Sequence, residues 1–304
     1  MPRKIDRLLS SYGQRPWLIE ESKGNQILDF LEICCTSGMM AAAIDGRERP
    51  TPSRAGSLAI LPLFGTLVPR GDLLSDSSGA TSLSRWSAKF RELAGNPDVS
   101  AIMLEIDSPG GQVDMVSETA AIIREARRAD RPIVAMANNM AASAAYWIAS
   151  AADEIVATPS AEVGSIGVFN VHQDISERLA KEGVRMTITR AGPRKAEVNP
   201  FEPLTDEAKA YLAERVTRAY DRFTADVALN RGVAVSVVRA DPLEAAAHFG
   251  GGRSLYAEDG LRLGLIDRIE RIDQTISRLS GTRSTPARRS RRQARLARRR
   301  LALG

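Results

Sequence analysis

Three dense aliphatic runs, separated by amphipathic stretches, limit what this chain can build. They are "SLAILPLFGTLV" from Ser57, "VSAIMLEID" from Val99 and "RPIVAMA" from Arg131. A continuous apolar run of this length reads as a strand covered on both faces, and such strands belong to parallel sheets flanked by helices. The intervening segments have helical spacing. Trp86, Phe90 and Leu93 trace one side of the first, and Val116, Ala120, Ile123 and Ala126–Arg127 one side of the second. Further along, "EIVATP" and "RMTITRA" read as strands and "ISERLAKEG" as a helix. "LTDEAKAYLAERVTRAYDRFTADVALNRG" is the clearest helix. Thr205 is its cap, Asp206 and Glu207 suit its N-terminal dipole, and Gly232 ends it. The expected fold is therefore α/β, layered, with mostly parallel strands.

The ends read differently from this body. Residues 1–55 form an accessory arm, with helical spacing at Ile27, Leu28, Leu31 and Ile33–Cys34, then a polar linker around "DGRERPTPSRAG". The body spans 56–275. Residues 276–304 make a tail, expected to be disordered, in which Arg283 to Arg300 holds nine arginines and no acid. The formal charge of +5 thus belongs to the tail, and the rest of the chain is mildly acidic. Such a tail suits contact with nucleic acid, an acidic protein surface or a membrane, or remains a solvated end.

Cys34 and Cys35 are adjacent and too few for a disulfide framework, which points to a reducing, cytoplasmic setting. The first residues lack the apolar core of a signal peptide, and no apolar run approaches the roughly 18 residues of a membrane span.

Two segments carry candidate chemistry. "IDSPGG", Ile106–Gly111, ends a strand in a proline turn followed by two glycines. Such a turn can aim amides at one point and lets a ligand approach the backbone, as an oxyanion hole requires. Its plainer reading is an ordinary strand-to-helix turn. Ser143, in "NNMAASAAYWIAS", follows a strand and opens a helix. It reads either as a nucleophile at a helix N-terminus or as a small residue in close helix packing.

A serine nucleophile needs a base. The two histidines, His172 and His248, stand in no recognisable triad context. The chain has six lysines against 36 arginines, and only lysine can give up its proton when desolvated. Lys195, in "AGPRKAEVNPFEPLT", follows a predicted strand and is the best internal candidate; its plainer reading is a solvated loop lysine.

Taken in order, "IDSPGG", "MAASAAYWIAS", "VGSIGV" and "RAGPRKAEVNPFEPLT" resemble the signal-peptide-peptidase A type of serine peptidases, and within them the phage head-maturation branch related to minor capsid protein C. The resemblance covers roughly residues 56–275. It implies a Clp-protease/crotonase-like fold and a Ser–Lys dyad: Ser143 as nucleophile, Lys195 as base, Ser165 orienting the lysine, and Gly110, Gly111 and Ala144 at the oxyanion hole. It implies no metal and no cofactor. Its expected substrates are capsid or scaffold proteins, and its expected assembly is a homo-oligomeric ring in the host cytoplasm or prohead. Two alternatives remain on the sequence: a structural capsid-assembly protein with little proteolysis, and a crotonase-type acyl-CoA enzyme.

Overall fold

The computed structural model describes residues 17–19, 51–71 and 80–281. The helix expected over Ile27–Cys34 and the Arg-rich segment lie outside these residues.

Three parallel strands form the centre of the main sheet: β3 (Leu58–Phe64), β6 (Ala101–Ser108) and β8 (Ile133–Ala142). Leu58 lies opposite Ala101, and Ile102 opposite Ile133. These are the three aliphatic runs, and they are apolar throughout because helices cover both faces. β2 (Ser53–Ala55) adds antiparallel to β3 at one edge. On the other side, β9 (Glu154–Ala157) and β10 (Glu162–Gly164) pair in succession along β8, both parallel to it. β12 (Arg268–Ile269) extends β9, and β11 (Ser254–Tyr256) closes β10 antiparallel.

A second, smaller sheet has the order β1-β7-β4-β5. It consists of β1 (Trp17–Ile19), β4 (Leu67–Val68), β5 (Thr81–Ser82) and β7 (Gly110–Gln112). The layered α/β character and the mostly parallel strands are as the sequence implies.

One face of the main sheet is covered by α1 (Leu83–Gly95), α2 (Val116–Glu125) and α3 (Ala144–Ser150), which share a core with Leu63, Leu104, Ile106 and Ala137. α1 starts where Ser82 accepts the Arg85 amide, and it buries Trp86, Phe90 and Leu93 as its spacing requires. The opposite face buries Leu58, Met103, Val134 and Met136 under α8 (Ile272–Ser280), whose Leu279 is fully buried.

The long helix α5 (Asp206–Arg231) is capped by Thr205 and stopped by Gly232 at φ 68°, as read from the sequence. Its last residue, Arg231, is buried and forms a two-pronged pair with Asp267, at 2.9 and 3.1 Å. The shorter helices are α4 (Ser176–Lys181), α6 (Val235–Arg239) and α7 (Ala257–Leu263).

The strand expected at "RMTITRA" is absent. Residues 184–190 run irregularly over the surface, with Val184 and Met186 43% and 49% exposed. Alternation alone does not make a strand, because a strand also needs an edge to pair with, and none of the described strands reaches this segment. No described helix is long and apolar enough to cross a membrane.

Candidate active site

The site is built where β8 gives way to α3. β8 runs past the predicted end of its strand, through Asn138–Ala142. Its register with β6 jumps there: Ile106 faces Ala137, but Ser108 faces Ala141. The extra residues bow the strand, as a bulge does, and aim its end. Ser143 follows at φ 53° and ψ −118°, a backbone region that a side chain rarely occupies, and it is the N-cap of α3. Holding a non-glycine residue there costs on the order of 1–3 kcal/mol, and it persists only because the surroundings over-determine it.

Those surroundings are specific. The Ser143 N–H donates to the Gly164 carbonyl at 2.7 Å. α3 itself is buried along its whole length. Trp147 stacks on Phe223 at 4.7 Å and donates its indole N–H to Asp226, and Tyr146 donates its hydroxyl to the Leu265 carbonyl. At the far end Arg127 donates to the carbonyls of Ser150, Ala151 and Ala152, satisfying the last turn and placing a cation at the negative pole of the helix. The alanines of "MAASAAYWIAS" are what allow this helix to sink into the core.

Ser143 is 1% exposed, and its hydroxyl has no hydrogen-bond partner among the described residues. A buried hydroxyl left without a partner costs about 1–3 kcal/mol, so it is unusual in a purely structural position. Beside it lies Gly110 at φ 103°. A Cβ built on Gly110 would come within 3.0 Å of both the Ser143 Cβ and the Ala144 nitrogen, and within 2.1 Å of the Leu18 carbonyl oxygen. Glycine is therefore required by the approach of three groups at once. Ala144 is the first residue of α3, so its N–H has no partner within the helix.

The turn before Gly110 is pinned by a residue the sequence did not single out. Ser108, fully buried, accepts the Gly110 N–H at 3.1 Å and donates to the Gly65 carbonyl at 2.7 Å. The Gly110 amide is thus already used, whereas Gly111 lies in β7 against Leu67 and Leu18. "IDSPGG" carried the signal for this pin, since a serine before Pro-Gly can close a turn on its own backbone. Replacing Ser108 by alanine strands an amide and a carbonyl, and a loss of about 1–3 kcal/mol is expected in urea unfolding.

Of the other predicted residues, Ser165 is close in the fold. It is 7% exposed, has φ 51° and follows Gly164, whose carbonyl holds the Ser143 amide. Lys195 lies at the surface of this chain. The mechanism asks for a dry lysine, but Lys195 is exposed, in an irregular segment, and it makes no hydrogen bond to Ser143. Arg194 beside it faces Glu197 at 3.6 Å.

Asn199, also missed in the sequence, organises this segment. Its side chain donates to the Ala196 carbonyl and to Glu202 and accepts the Phe201 amide, and its carbonyl lies 3.1 Å from the His172 Nε2. His248 Nδ1 accepts the Gly250 amide. Both histidines are thus engaged with backbone, and neither bonds to Ser143. No group of three or more potential metal ligands occurs among the described residues.

Comparison with known proteins bears on this geometry. Residues 125–284 match the model of peptidase family S49. The chain is 34% identical over 239 residues to capsid assembly protease C of Escherichia phage lambda, covering 75% of this chain and 52% of the phage protein. It is 32% identical over 220 residues to head-tail preconnector protein GP5 of Enterobacteria phage P21, covering 72% and 42%. It is 28% identical over 209 residues to a putative signal peptide peptidase SppA of Enterococcus faecium, covering 69% and 58%. The chain thus spans about half the length of these relatives. A ClpP1 variant from Listeria monocytogenes overlays with a TM-score of 0.42 and 14% identity, over 71% of this chain and 94% of that one, a likeness of fold alone. The family match extends over more than half of the chain and takes in Ser143, Ser165 and Lys195, and on that ground the chain belongs to peptidase family S49, alongside its phage members.

Proposed function

We propose that this chain is a serine endopeptidase acting in phage head maturation, with Ser143 as nucleophile and Lys195 as base. The observation that carries this reading is Ser143 itself: a buried, strained serine with a partnerless hydroxyl, at a helix N-terminus and against a glycine that admits the backbone of another segment. Ser143 Oγ attacks the peptide carbonyl and its proton passes to Lys195. The Ala144 N–H and the positive end of α3 hold the oxyanion, while the Gly110–Gly111 backbone closes the other side. A single oxyanion donor contributes roughly 3–4 kcal/mol in other serine hydrolases. Lys195 then protonates the leaving amine, and water releases the acyl group. Ser165 orients the lysine.

Lys195 serves this scheme once its segment is covered, because only a desolvated lysine is neutral enough to accept a proton. The exposed apolar side chains of Val184 and Met186, just ahead of it, favour a neighbouring copy as the cover, in keeping with a homo-oligomer. The substrates, by analogy with the two phage relatives, are capsid or scaffold proteins. The segment from Arg283 to Arg300 supplies a cationic contact for nucleic acid or an acidic protein surface.

The test is active-site chemistry. A fluorophosphonate is expected to label Ser143 of the wild type, and co-expressed capsid proteins to yield fragments that vanish with Ser143→Ala. Lys195→Arg keeps the charge but removes the base, and a loss of roughly 10²–10⁴ in kcat is expected with the melting temperature unchanged. Near-normal cleavage by that variant would exclude Lys195.

A further inference from the structure

We propose that the N-terminal strand β1 occupies the peptide-binding groove of this same site, lying there as a substrate would, so that the chain carries its own occupant of the cleft. The proposal rests on the reading of Ser143 as nucleophile and adds what the groove binds and what fills it.

Proteases hold substrates extended, and an extended peptide is bound most simply by adding it to the edge of a strand beside the nucleophile. Here that edge is β7, which begins at Gly110. β1 fills it, antiparallel, with Trp17 opposite Gln112, Leu18 opposite Gly111 and Ile19 opposite Gly110. The position along the groove is informative. The Leu18 carbonyl oxygen, the Ser143 Cβ and the Ala144 nitrogen all crowd the one point where a Gly110 side chain would be. The β1 backbone therefore borders Gly110 together with the Ser143 Cβ and the helix amide, along the edge on which a substrate backbone would pair.

The side chains say what the groove accepts. Leu18 is 0% and Ile19 3% exposed, and Leu18 packs into the main core. Neighbouring residues of a strand point to opposite faces, so the groove offers apolar space on both sides of the peptide at these positions. The ligand class is an extended segment with two consecutive aliphatic residues. Among the described residues, β1 is held by three residues of backbone pairing and by the buried side chains of Leu18 and Ile19. Withdrawal of β1 is the step that opens the cleft.

The test uses the full-length chain with Trp17→Cys and Gln112→Cys, the two residues being opposite each other, and with Cys34 and Cys35 changed to Ser. Two readouts are taken before and after reduction: the rate of fluorophosphonate labelling, and binding of a fluorescent peptide of residues 14–22, the latter in a Ser143→Ala background so that it needs no catalysis. The oxidised form, with β1 locked in place, is expected to label at least tenfold more slowly and to bind the peptide at least tenfold more weakly. Equal labelling and equal binding in both states would overturn the proposal and leave the peptidase reading intact. Redox-dependent binding with no labelling in either state would uphold the groove and overturn Ser143 as nucleophile. A second variant without the disulfide, Leu18→Asp with Ile19→Asp, is expected to label and bind faster than wild type, because two carboxylates cannot stay at those buried positions. Unchanged rates in that variant, with the melting transition of the body retained, would also count against the proposal.

Discussion

Ser143→Ala is expected to abolish cleavage and, in the same protein, to raise the melting temperature. The two effects have one cause. A nucleophile removed from an interdependent set costs about 10⁶ in kcat in a well-studied serine protease, and a loss of that order is expected here. The hydroxyl proposed as nucleophile belongs to a residue only 1% exposed and has no partner among the described residues, so it is a burden on the folded state. Alanine removes that burden without touching the Ser143 N–H bond to Gly164 or the packing of α3. A gain of about 1–2 kcal/mol follows from the cost of an unpaired buried hydroxyl, which in a chain of this size is a rise of roughly 2–8 °C. Differential scanning calorimetry of the two proteins, with fluorophosphonate labelling alongside, measures both effects. A drop in melting temperature would mean that Ser143 holds the fold, and would remove the main physical argument for a catalytic role. The expectation fits a general pattern in which active sites are less stable than the packing around them allows.

The two glycines of "SPGG" are expected to fail in different ways when changed to alanine. At Gly110 the new methyl meets the Leu18 oxygen at 2.1 Å and Ser143 and Ala144 at 3.0 Å, with an unfavourable φ of 103°. β1 is only three residues long and yields on the proposal above, but Ser143 and Ala144 are fixed by a helix buried throughout. Gly110→Ala should therefore fold with a penalty of about 1–3 kcal/mol from backbone strain. It should lose roughly 10²-fold or more in kcat, because a displacement on the order of 1 Å at a reacting centre costs that much. At Gly111 the methyl meets the Leu67 oxygen at 2.0 Å and the Leu67 nitrogen at 2.5 Å. Leu67 is fully buried in the core and its strand cannot move aside. Gly111→Ala is expected to be the more destabilising of the two, losing soluble folded protein before any kinetics are measured. Expression yield, urea midpoint and kcat for the pair give the comparison. Equal losses of stability at both positions would contradict the distinction drawn between a mobile and a fixed neighbour.

The large features of this molecule were legible in the sequence because they depend on local chemistry. The three aliphatic runs are short, rich in residues that suit strands and apolar on both faces, as strands covered by helices must be, and α1 and α5 begin and end at the residues whose side chains and backbone favour caps. The motifs around Gly110, Ser143 and Ser165 were also visible, as turns between such elements. The strand expected at "RMTITRA" shows where local reasoning stops. Val184, Met186 and Ile188 alternate correctly, but pairing is a property of a neighbour, and this segment has none among the described strands. Lys195 shows the same limit. Its residue type suits a base, yet dryness is conferred by what covers it, and that is absent from its own stretch of chain.

By itself, then, the order of residues determined a parallel α/β body, its helix caps, and a serine placed between a strand and a helix. Only the tertiary structure decided that this serine is buried and strained with a free hydroxyl, that Ser108 pins the turn beside it, and that Leu18, more than ninety residues before Gly110 in the chain, brings its carbonyl to the same point. Capping and periodicity act within a turn or two of backbone, so they can be read along the chain. Burial, missing hydrogen-bond partners and groove occupancy are set by segments far apart in sequence, and they take a value only when the fold brings those segments together.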